Sequence, residues 1–521
     1  MIFDRTFHPD EANQAFTVGR LLETGRYAYR PTDHHGPTLY YAAAPLQRAF
    51  GHATTAELDG TLLRCTPLLF GALALVFGAL ALRKVLAPIQ RRAVPALFAA
   101  VLGTSPLFVF FATDFIQETL LASFLTMAFW AGVGYFTARA AGAQPTQARV
   151  KPGTWALLLG IACGLAFATK ETSVLSFAAA GVAGLPLLWR HRKDVRLESR
   201  DVVLAAAGFL LTAVLFFSSF ATNWIGVYNA FVAAPLSYFH RAAGDAASEG
   251  AAWHVHPFGQ YLKWLFSGNG MFALFVVSGL AAAVFVCARP ASRGAVRPAT
   301  RRALAFLSAY SALLLLLYSA IPYKTPWCAV QMLVAILPAS LLGLAALQQK
   351  SLAYYAEIKA DSPRLAAFLS FMPIVAMSAL LVFFGNVPSL VVISRDPDSR
   401  NIPYNYASAS PEAKELAATV AAAMDAAERR AKAEGLPPPF AAVALPPTDT
   451  WPFPWYNRRH ESKTGYWTKF DDLVALERGG SKPAVVVVPM AEGHLAQALF
   501  PHLKNTRRFY MRPGVRVRVF W

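Results

Sequence analysis

Long apolar stretches recur along most of this chain and are separated by short polar segments. A helix needs about 20 mostly apolar residues to cross the roughly 30 Å hydrocarbon core of a bilayer. The pattern therefore predicts a polytopic α-helical membrane protein with about ten spans. These spans are expected at 61–82, 93–112, 118–138, 154–169, 172–189, 202–221, 270–288, 303–320, 327–348 and 366–386. The fourth and fifth stretches, separated only by Lys170 and Glu171, could instead form one long broken hydrophobic region.

The segment that precedes the first span has two amphipathic patterns. Residues 11–23 and 38–50 each place small and apolar side chains on one helical face, as is typical of helices that lie in the membrane interface. Residues 1–60 are therefore predicted to form an outer loop with two interfacial helices. Because no apolar span precedes this loop in the sequence, we expect the recorded start to lie downstream of the true one. The alternative is a loop that is translocated unaided.

The C-terminal part of the chain has a different pattern, which follows a transmembrane domain over 61–390. Residues 411–434 have helical periodicity, and KPAVVVVP is a continuous apolar run of the buried-strand type. The pattern predicts a small soluble α/β domain over 391–521. The alternation in VRVRV indicates an edge strand with an exposed basic face. The aromatic residues of WPFPWYNRR are expected to pack in the core, with stacking against a sugar or the membrane surface as the alternative.

Composition and charge agree with a membrane protein. The 521 residues are 55% hydrophobic and only 15% charged, too little charge to cover the surface of a soluble chain of this length. The net charge of +18 comes largely from Lys and Arg residues in alternate loops, so it does not indicate nucleic-acid binding. Such loops are cytoplasmic. The opposite loops contain few basic residues, namely Lys170, Arg241, Lys263 and Lys324.

This orientation predicts a multi-pass protein of the inner (plasma) membrane. It places residues 1–60, the loop at 222–269 and the chain after about residue 387 on the extracytoplasmic side. The four cysteines lie in or beside apolar stretches, with neither a disulfide framework nor zinc-site spacing.

Ionisable residues recur in the predicted outer loops, where each is expensive to bury and is therefore a functional candidate. Asp10 and Glu11 are adjacent carboxylates in the first outer loop, although Asp10 follows a proline and could simply cap a helix. His256 could ligate a metal or cap the helix that follows it, and an isolated lysine at a helix end can simply snorkel to the headgroups. The other candidates in these loops are His35, Asp114, Glu118, Lys170, Glu171, Tyr323 and Lys324.

These side chains could together hold a divalent cation and a phosphate. Carboxylate oxygens are ligands that suit both Mg²⁺ and Mn²⁺. The candidate ligands for a Mg²⁺ or Mn²⁺ ion are Glu11, Glu118 and His256.

The carboxylate pair of the first outer loop, flanked by two interfacial helices and followed by many spans, resembles that of the GT-C class of membrane glycosyltransferases. Five motifs carry a further resemblance to one family of that class. They are HPDEANQA, TDHHGPTLYY, ATKET, YKTPW and WPFPWY, and they extend over residues 8–456. The GT-C class contains the protein O-mannosyltransferases and the aminoarabinose transferase of lipid A. The sequence is most similar to an ArnT-like prokaryotic family described as flippase-activity-associated. The departure from the class is the absent helix before the carboxylate loop, which in the class precedes that loop and anchors it.

The resemblance implies a glycosyltransferase that uses a polyprenyl-phosphate-linked sugar as donor and acts outside the cytoplasm. Asp10 then matches the catalytic base, with Glu11 supporting it or binding a metal, although many members of the class need no metal. Lys324 and Lys170 match the cations that stabilise the departing phosphate. Arg20 or Arg26 could assist them.

The acceptor implied by the resemblance is a glycan, a lipid or a protein. The alternative function is a non-catalytic lipid-linked sugar transporter or flippase partner. It is disfavoured because the chain has no internal repeat and its polar residues cluster at one surface. A purely structural assembly component is a third possibility, for which the outer carboxylates would have no purpose.

Overall fold

The computed structural model describes most of the chain. The described residues are 4–31, 35–139, 150–192, 197–237, 254–288, 296–358, 362–399, 401–405 and 408–521. Asp33 and His34 of the first outer loop, and Trp253 of the long outer loop, lie outside them.

Helices dominate the structure. In chain order they are α1 (Pro9–Thr24), α2 (Thr38–Ala49), α3 (Gly60–Val85), α4 (Ala93–Gly103), α5 (Pro106–Ala112), α6 (Glu118–Arg139), α7 (Pro152–Phe167), α8 (Ser173–Arg190), α9 (Ser199–Phe217), α10 (Ile225–Tyr228), α11 (Gln260–Phe266), α12 (Gly270–Ala288), α13 (Pro298–Ala320), α14 (Ala329–Ile358), α15 (Pro363–Leu380), α16 (Val387–Arg395), α17 (Glu412–Glu434), α18 (Pro447–Thr450), α19 (Phe453–Asn457), α20 (Phe470–Arg478) and α21 (Gly493–Leu499). The predicted helices at 11–23 and 38–50 are present as α1 and α2.

The chain forms two compact units. The helical unit comprises Arg26–Ala42 and Arg64–Arg395. The α/β unit comprises Met1–Gly25, Ala43–Leu63 and Asp396–Trp521, so two segments from the N-terminal part of the chain belong to the same unit as the C-terminal domain.

The apolar helices identify a polytopic membrane protein, as predicted. Among the described residues, eight helices are long and apolar enough to cross a bilayer. They are Gly60–Val85, Glu118–Arg139, Ser173–Arg190, Ser199–Phe217, Gly270–Ala288, Pro298–Ala320, Pro326–Tyr354 and Pro363–Arg395. A ninth candidate is the pair formed by Pro88–Gly103 and Pro106–Ala112, which is bent by 67°.

Eight of the predicted spans coincide with these helices, and the second predicted span is the bent pair. The fourth is α7, a shorter apolar helix of 16 residues. It is separate from α8 and does not join it in one broken region.

Small residues determine how closely the helices of the helical unit approach. A Cβ atom added at Gly160 of α7 would overlap the carbonyl oxygen of Ala205 in α9. One added at Gly208 of α9 would lie 2.8 Å from the carbonyl oxygen of Leu157. Without a hydrophobic driving force between helices in lipid, such close backbone approach is a main source of helix association.

The α/β unit is built on one five-stranded sheet of order β2-β1-β3-β5-β4. The strands are β1 (Ala441–Ala444), β2 (Thr464–Trp467), β3 (Val485–Pro489), β4 (Thr506–Arg512) and β5 (Val515–Phe520). β1 pairs in parallel with β2 and β3, whereas β5 pairs antiparallel with β3 and β4. Buried side chains of α17, among them Leu416 and Val420, pack on one face of the sheet, and those of α20 and α21 pack on the other.

The prediction of an edge strand at VRVRV is wrong. That sequence is β5, which is hydrogen-bonded on both sides. Its alternation reflects two faces: Val515, Val517 and Val519 are buried in the core below α17, while Arg516 is exposed. In the WPFPWY motif, Phe453 and Trp455 are buried, as the core interpretation predicts.

Replacement of Gly160 with Ala should destabilise the protein by about 1–3 kcal/mol, because the added methyl group forces α7 away from α9. The matched control is Gly132→Ala in α6, where an added Cβ would have no neighbour within 4 Å. Thermal unfolding in detergent measures the difference. A Gly160→Ala protein with the unfolding midpoint of the wild type would contradict this account of helix packing.

Candidate functional site

The carboxylate pair Asp10 and Glu11 lies in the first turn of α1, where the two residues have different environments. His8 caps the helix, since its Nδ1 accepts a hydrogen bond from the backbone N–H of Asp10 at 3.1 Å. Glu11 completes a capping box by accepting from the backbone N–H of His8 at 3.0 Å, and its side chain is buried. The expectation that Asp10 could cap this helix is therefore wrong, because His8 and Glu11 satisfy the terminal N–H groups.

Asp10 is the more accessible carboxylate of the pair. Its side chain is 50% exposed, and its position in the first helical turn favours a negative charge there. Arg20, a predicted partner at the phosphate, lies further along the same helix, at about 15 Å in axial rise from Asp10. Its guanidinium donates to the Thr17 hydroxyl at 2.9 Å. The two side chains are therefore not neighbours.

In the helical unit, Lys170 and Glu118 form a buried ion pair. Both side chains are at most 5% exposed, and the ammonium contacts Oε1 of the carboxylate directly. Gln331 of α14 donates to the backbone carbonyl of Glu118 at 2.9 Å and to its side chain at 3.3 Å. Because Lys170 is already paired with a carboxylate, its surroundings favour a structural role over phosphate binding.

The next residue, Glu171, receives two hydrogen bonds from residues of the first outer loop. The Tyr29 hydroxyl donates at 2.5 Å, and the Nδ1 atom of His35 lies 2.8 Å from the other carboxylate oxygen. Burial raises the pKa of Glu171, but the charge of His35 and these hydrogen bonds outweigh it and hold the pKa below its ordinary value.

The motifs around these residues pack directly on each other. The hydroxyls of Thr38 and Thr169 are 2.7 Å apart, and the backbone N–H of Thr38 donates to Ala168 at 3.2 Å. Gly36 is required here, since a Cβ atom would overlap the Ala168 carbonyl. Residues 35–38 and the sequence ATKET thus meet in one polar cluster.

A strained turn after α9 supports this cluster. Ser219, Phe220 and Ala221 all have positive φ, between 51° and 68°, which costs a non-glycine residue roughly 1–2 kcal/mol. The Ser219 hydroxyl accepts from the backbone N–H of Tyr27 at 2.9 Å, and the Tyr27 hydroxyl donates to the His35 carbonyl at 2.5 Å. The turn therefore helps to place His35.

Lys324 has a different environment from Lys170. Its side chain is 1% exposed, and its ammonium donates to the backbone carbonyls of His256, at 3.2 Å, and Ile321. In the described part of the chain no carboxylate forms an ion pair with it. Burial lowers the pKa of Lys324 below its ordinary value.

The remaining outer-loop candidates surround Lys324 or lie at the start of α6. Burial and the charge of Lys324 lower the pKa of His256. Tyr323 is 41% exposed and stacks on His254 with ring centroids 4.5 Å apart. Asp114 is buried in the bend between α5 and α6.

The described residues provide no ready-made metal centre. Among them, no group of three or more His, Cys, Asp or Glu side chains could hold an ion. Of the candidate ligands, Glu11 belongs to the capping box and Glu118 to the pair with Lys170. A Mg²⁺ or Mn²⁺ requirement stays a prediction.

Several residues of this cluster were not singled out in the sequence. Gln331 is a polar side chain inside an apolar span, which is a signal of function or buried pairing at membrane depth. Tyr29 and Ser219 carry no comparable signal, since tyrosine and serine are common near membrane surfaces. Only the fold shows that they support Glu171 and His35.

Replacement of Glu118 with Gln should destabilise the protein by about 3–5 kcal/mol, because it leaves the Lys170 ammonium buried without a counter-charge. The double variant Glu118→Gln/Lys170→Met should recover much of this loss. Thermal unfolding in detergent compares the three proteins. If the double variant is no more stable than Glu118→Gln alone, the two side chains are not energetically coupled.

Comparison with known proteins shows similarity in three-dimensional structure. No protein-family model matches the sequence, and no curated protein matches it significantly. The structure is similar to that of ArnT from Cupriavidus metallidurans bound to undecaprenyl phosphate, with a TM-score of 0.60 and 15% identity. That match covers 99% of this chain and 94% of ArnT.

An archaeal protein has a related structure. AglB, the oligosaccharyltransferase of Archaeoglobus fulgidus in complex with an inhibitory peptide and a dolichol-phosphate, matches with a TM-score of 0.55 and 11% identity. The match covers 95% of this chain and 67% of AglB. The oligosaccharyltransferase of the same organism in complex with Zn and sulfate matches with a TM-score of 0.52 and 10% identity. ArnT and AglB are both GT-C glycosyltransferases, so this chain has the GT-C fold that its motifs predict.

Proposed function

We propose that this protein transfers a sugar from a polyprenyl-phosphate-linked donor to an acceptor on the extracytoplasmic side of the membrane. The observation that carries the proposal is the environment of Lys324. A buried ammonium is costly unless an anion compensates it. Lys170 has such an anion in Glu118, whereas the ammonium of Lys324 donates to backbone carbonyls and pairs with no carboxylate among the described residues. A lipid-linked phosphate would supply the missing negative charge.

Asp10 is the proposed base. The acceptor hydroxyl loses its proton to the Asp10 carboxylate while its oxygen forms a bond to the anomeric carbon of the sugar. The bond from that carbon to the phosphate oxygen breaks, and the lipid phosphate leaves with the electron pair. General-base catalysis of this kind contributes about 10²–10⁴-fold. The half-exposed position of Asp10 suits this role, whereas the buried, capping Glu11 suits a supporting one.

The fold supports the same class of donor. ArnT and AglB, whose structures contain undecaprenyl phosphate and a dolichol-phosphate, share this architecture. A non-catalytic protein that only binds lipid-linked sugars could also use Lys324. Such a protein would need no base, so the effect of replacing Asp10 distinguishes the two functions.

Replacement of Lys324 with Met should weaken the binding of undecaprenyl phosphate at least about tenfold, since a hydrogen bond to a charged group is worth roughly 1.5–3 kcal/mol. Lys324→Arg should retain part of the affinity, because it keeps the charge but changes the geometry. Thermophoresis with the detergent-solubilised protein measures both. The control is Lys263→Met, which removes an exposed lysine of α11. Equal affinities of folded wild type and Lys324→Met would remove Lys324 from the site.

Replacement of Asp10 with Asn should lower the transfer rate by about 10²–10⁴-fold and leave the affinity for undecaprenyl phosphate unchanged. Transfer is measured with undecaprenyl phosphates that carry labelled mannose, glucose, galactose or aminoarabinose, with cell membranes as acceptor. The matched control is Asp471→Asn, because Asp471 is an exposed acid at the same position in the first turn of α20.

Transfer at the wild-type rate by Asp10→Asn would exclude Asp10 as the base. A wild type that binds undecaprenyl phosphate but transfers none of these sugars would favour the non-catalytic alternative.

A further inference from the structure

The chain just before α1 determines where the first turn of that helix, and therefore Asp10, lies. Residues 4–8 carry no regular helix or strand beyond a single turn at Asp4. Thr6 and Phe7 are nevertheless buried, at 1% and 4% exposure. An irregular segment that is this well buried needs partners for its backbone N–H groups.

Those partners come from the C-terminal part of the α/β unit. The backbone N–H of Phe7 donates to the Tyr456 hydroxyl at 2.7 Å. The backbone N–H of Thr6 donates to the Asp398 carboxylate at 3.1 Å. The Phe7 ring stacks on Trp455, with centroids 4.7 Å apart and planes 16° apart. These contacts join residues that are far apart in sequence: Thr6 and Asp398 are 392 positions apart, and Phe7 and Tyr456 are 449 positions apart.

Trp455, which stacks on Phe7, is itself fixed by a further contact. The guanidinium of Arg458 lies 4.1 Å from the ring centroid of Trp455 and donates to the Leu58 carbonyl at 2.8 Å. Gly60 leaves room for the stack, since a Cβ atom there would lie 3.0 Å from the Phe7 ring. Six residues beyond Asp10 on the same helix, Phe16 contacts Trp451 edge-to-face with ring centroids 5.6 Å apart.

We infer that Asp398, Trp455 and Tyr456 are positioning residues for Asp10. They hold residues 6 and 7 and thereby fix the point at which α1 begins. The inference rests on the proposed function, because it assumes that Asp10 is the base. A catalytic group must be held within about 0.5 Å of its productive position, which requires neighbours that are themselves locked by packing and hydrogen bonds. The aromatic WPFPWY motif then has a role in catalysis as well as in the core.

Hydrogen–deuterium exchange of the full-length protein in detergent tests the contacts without reference to activity. Tyr456→Phe removes only the hydroxyl that accepts from Phe7, and Trp455→Ala removes the stacked ring. Both should speed exchange over residues 6–11 by about 3–10-fold, as expected for the loss of one net hydrogen bond or a comparable contact. The control is Tyr466→Phe, because that hydroxyl bonds to Glu461 and not to the segment before α1.

Transfer kinetics test the consequence. Trp455→Ala should lower kcat about 10–100-fold, the effect of a small misplacement of a catalytic group, and leave the affinity for undecaprenyl phosphate unchanged. Trp455→Phe should restore most of the rate, because a smaller aromatic ring still stacks on Phe7. The donors are the labelled undecaprenyl phosphate sugars used for Asp10→Asn.

The outcomes separate this inference from the proposed function. Wild-type exchange over residues 6–11 in both Tyr456→Phe and Trp455→Ala would overturn the positioning role, whatever the activity. Faster exchange with an undiminished kcat would overturn it as well. Faster exchange with a reduced kcat supports it. A wild type that transfers no sugar removes the proposed function itself, and the inference falls with it.

Discussion

The cost of burying charge in apolar surroundings governs the polar parts of this structure. Each buried ionisable group of a polytopic protein must find a counter-charge or enough hydrogen bonds. Lys170 and Glu118 meet this requirement through each other, and Gln331 adds further hydrogen bonds. At the other end of α6, Arg139 meets it through Asp201, which is buried and lies 2.9 Å from Nε. These pairs connect helices that sequence alone does not relate.

Lys324 stands out because it meets the same requirement only in part. Two backbone carbonyls solvate its ammonium, yet neither carries a full charge. The nearby His256 is disfavoured as a second cation, since burial and Lys324 both lower its pKa. Such an arrangement is stable enough to fold and still gains from the arrival of an anion. A lysine that already pairs with a carboxylate, as Lys170 does, would gain little from a further anion. The difference between the surroundings of Lys170 and Lys324 therefore bears on function.

The motifs that resemble GT-C enzymes are distributed over two groups of contacts. In the helical unit, residues 35–38 pack on ATKET, and the Lys170 ammonium lies 3.9 Å from the sulfur of Cys328, the residue that follows YKTPW. In the α/β unit, the residues that lead into HPDEA pack on WPFPWY. Motifs that are far apart in sequence are therefore in direct contact and stabilise each other. This explains why the segment that contains α1 and the C-terminal sheet belong to one unit.

The sequence by itself determined the membrane class, most of the spans and the existence of α1, α2 and the C-terminal α/β domain, because these follow from local periodicity and apolar length. It also marked Asp10, Lys170 and Lys324 as candidates. Only the tertiary structure decided that β5 is an inner strand and that Lys170 pairs with Glu118, whereas no carboxylate among the described residues pairs with Lys324. The pairing of Lys170 depends on Glu118, which is 52 residues away in sequence. The inner position of β5 depends on which strands lie on either side of it. A periodic pattern records which face of an element is buried, but not what lies against that face.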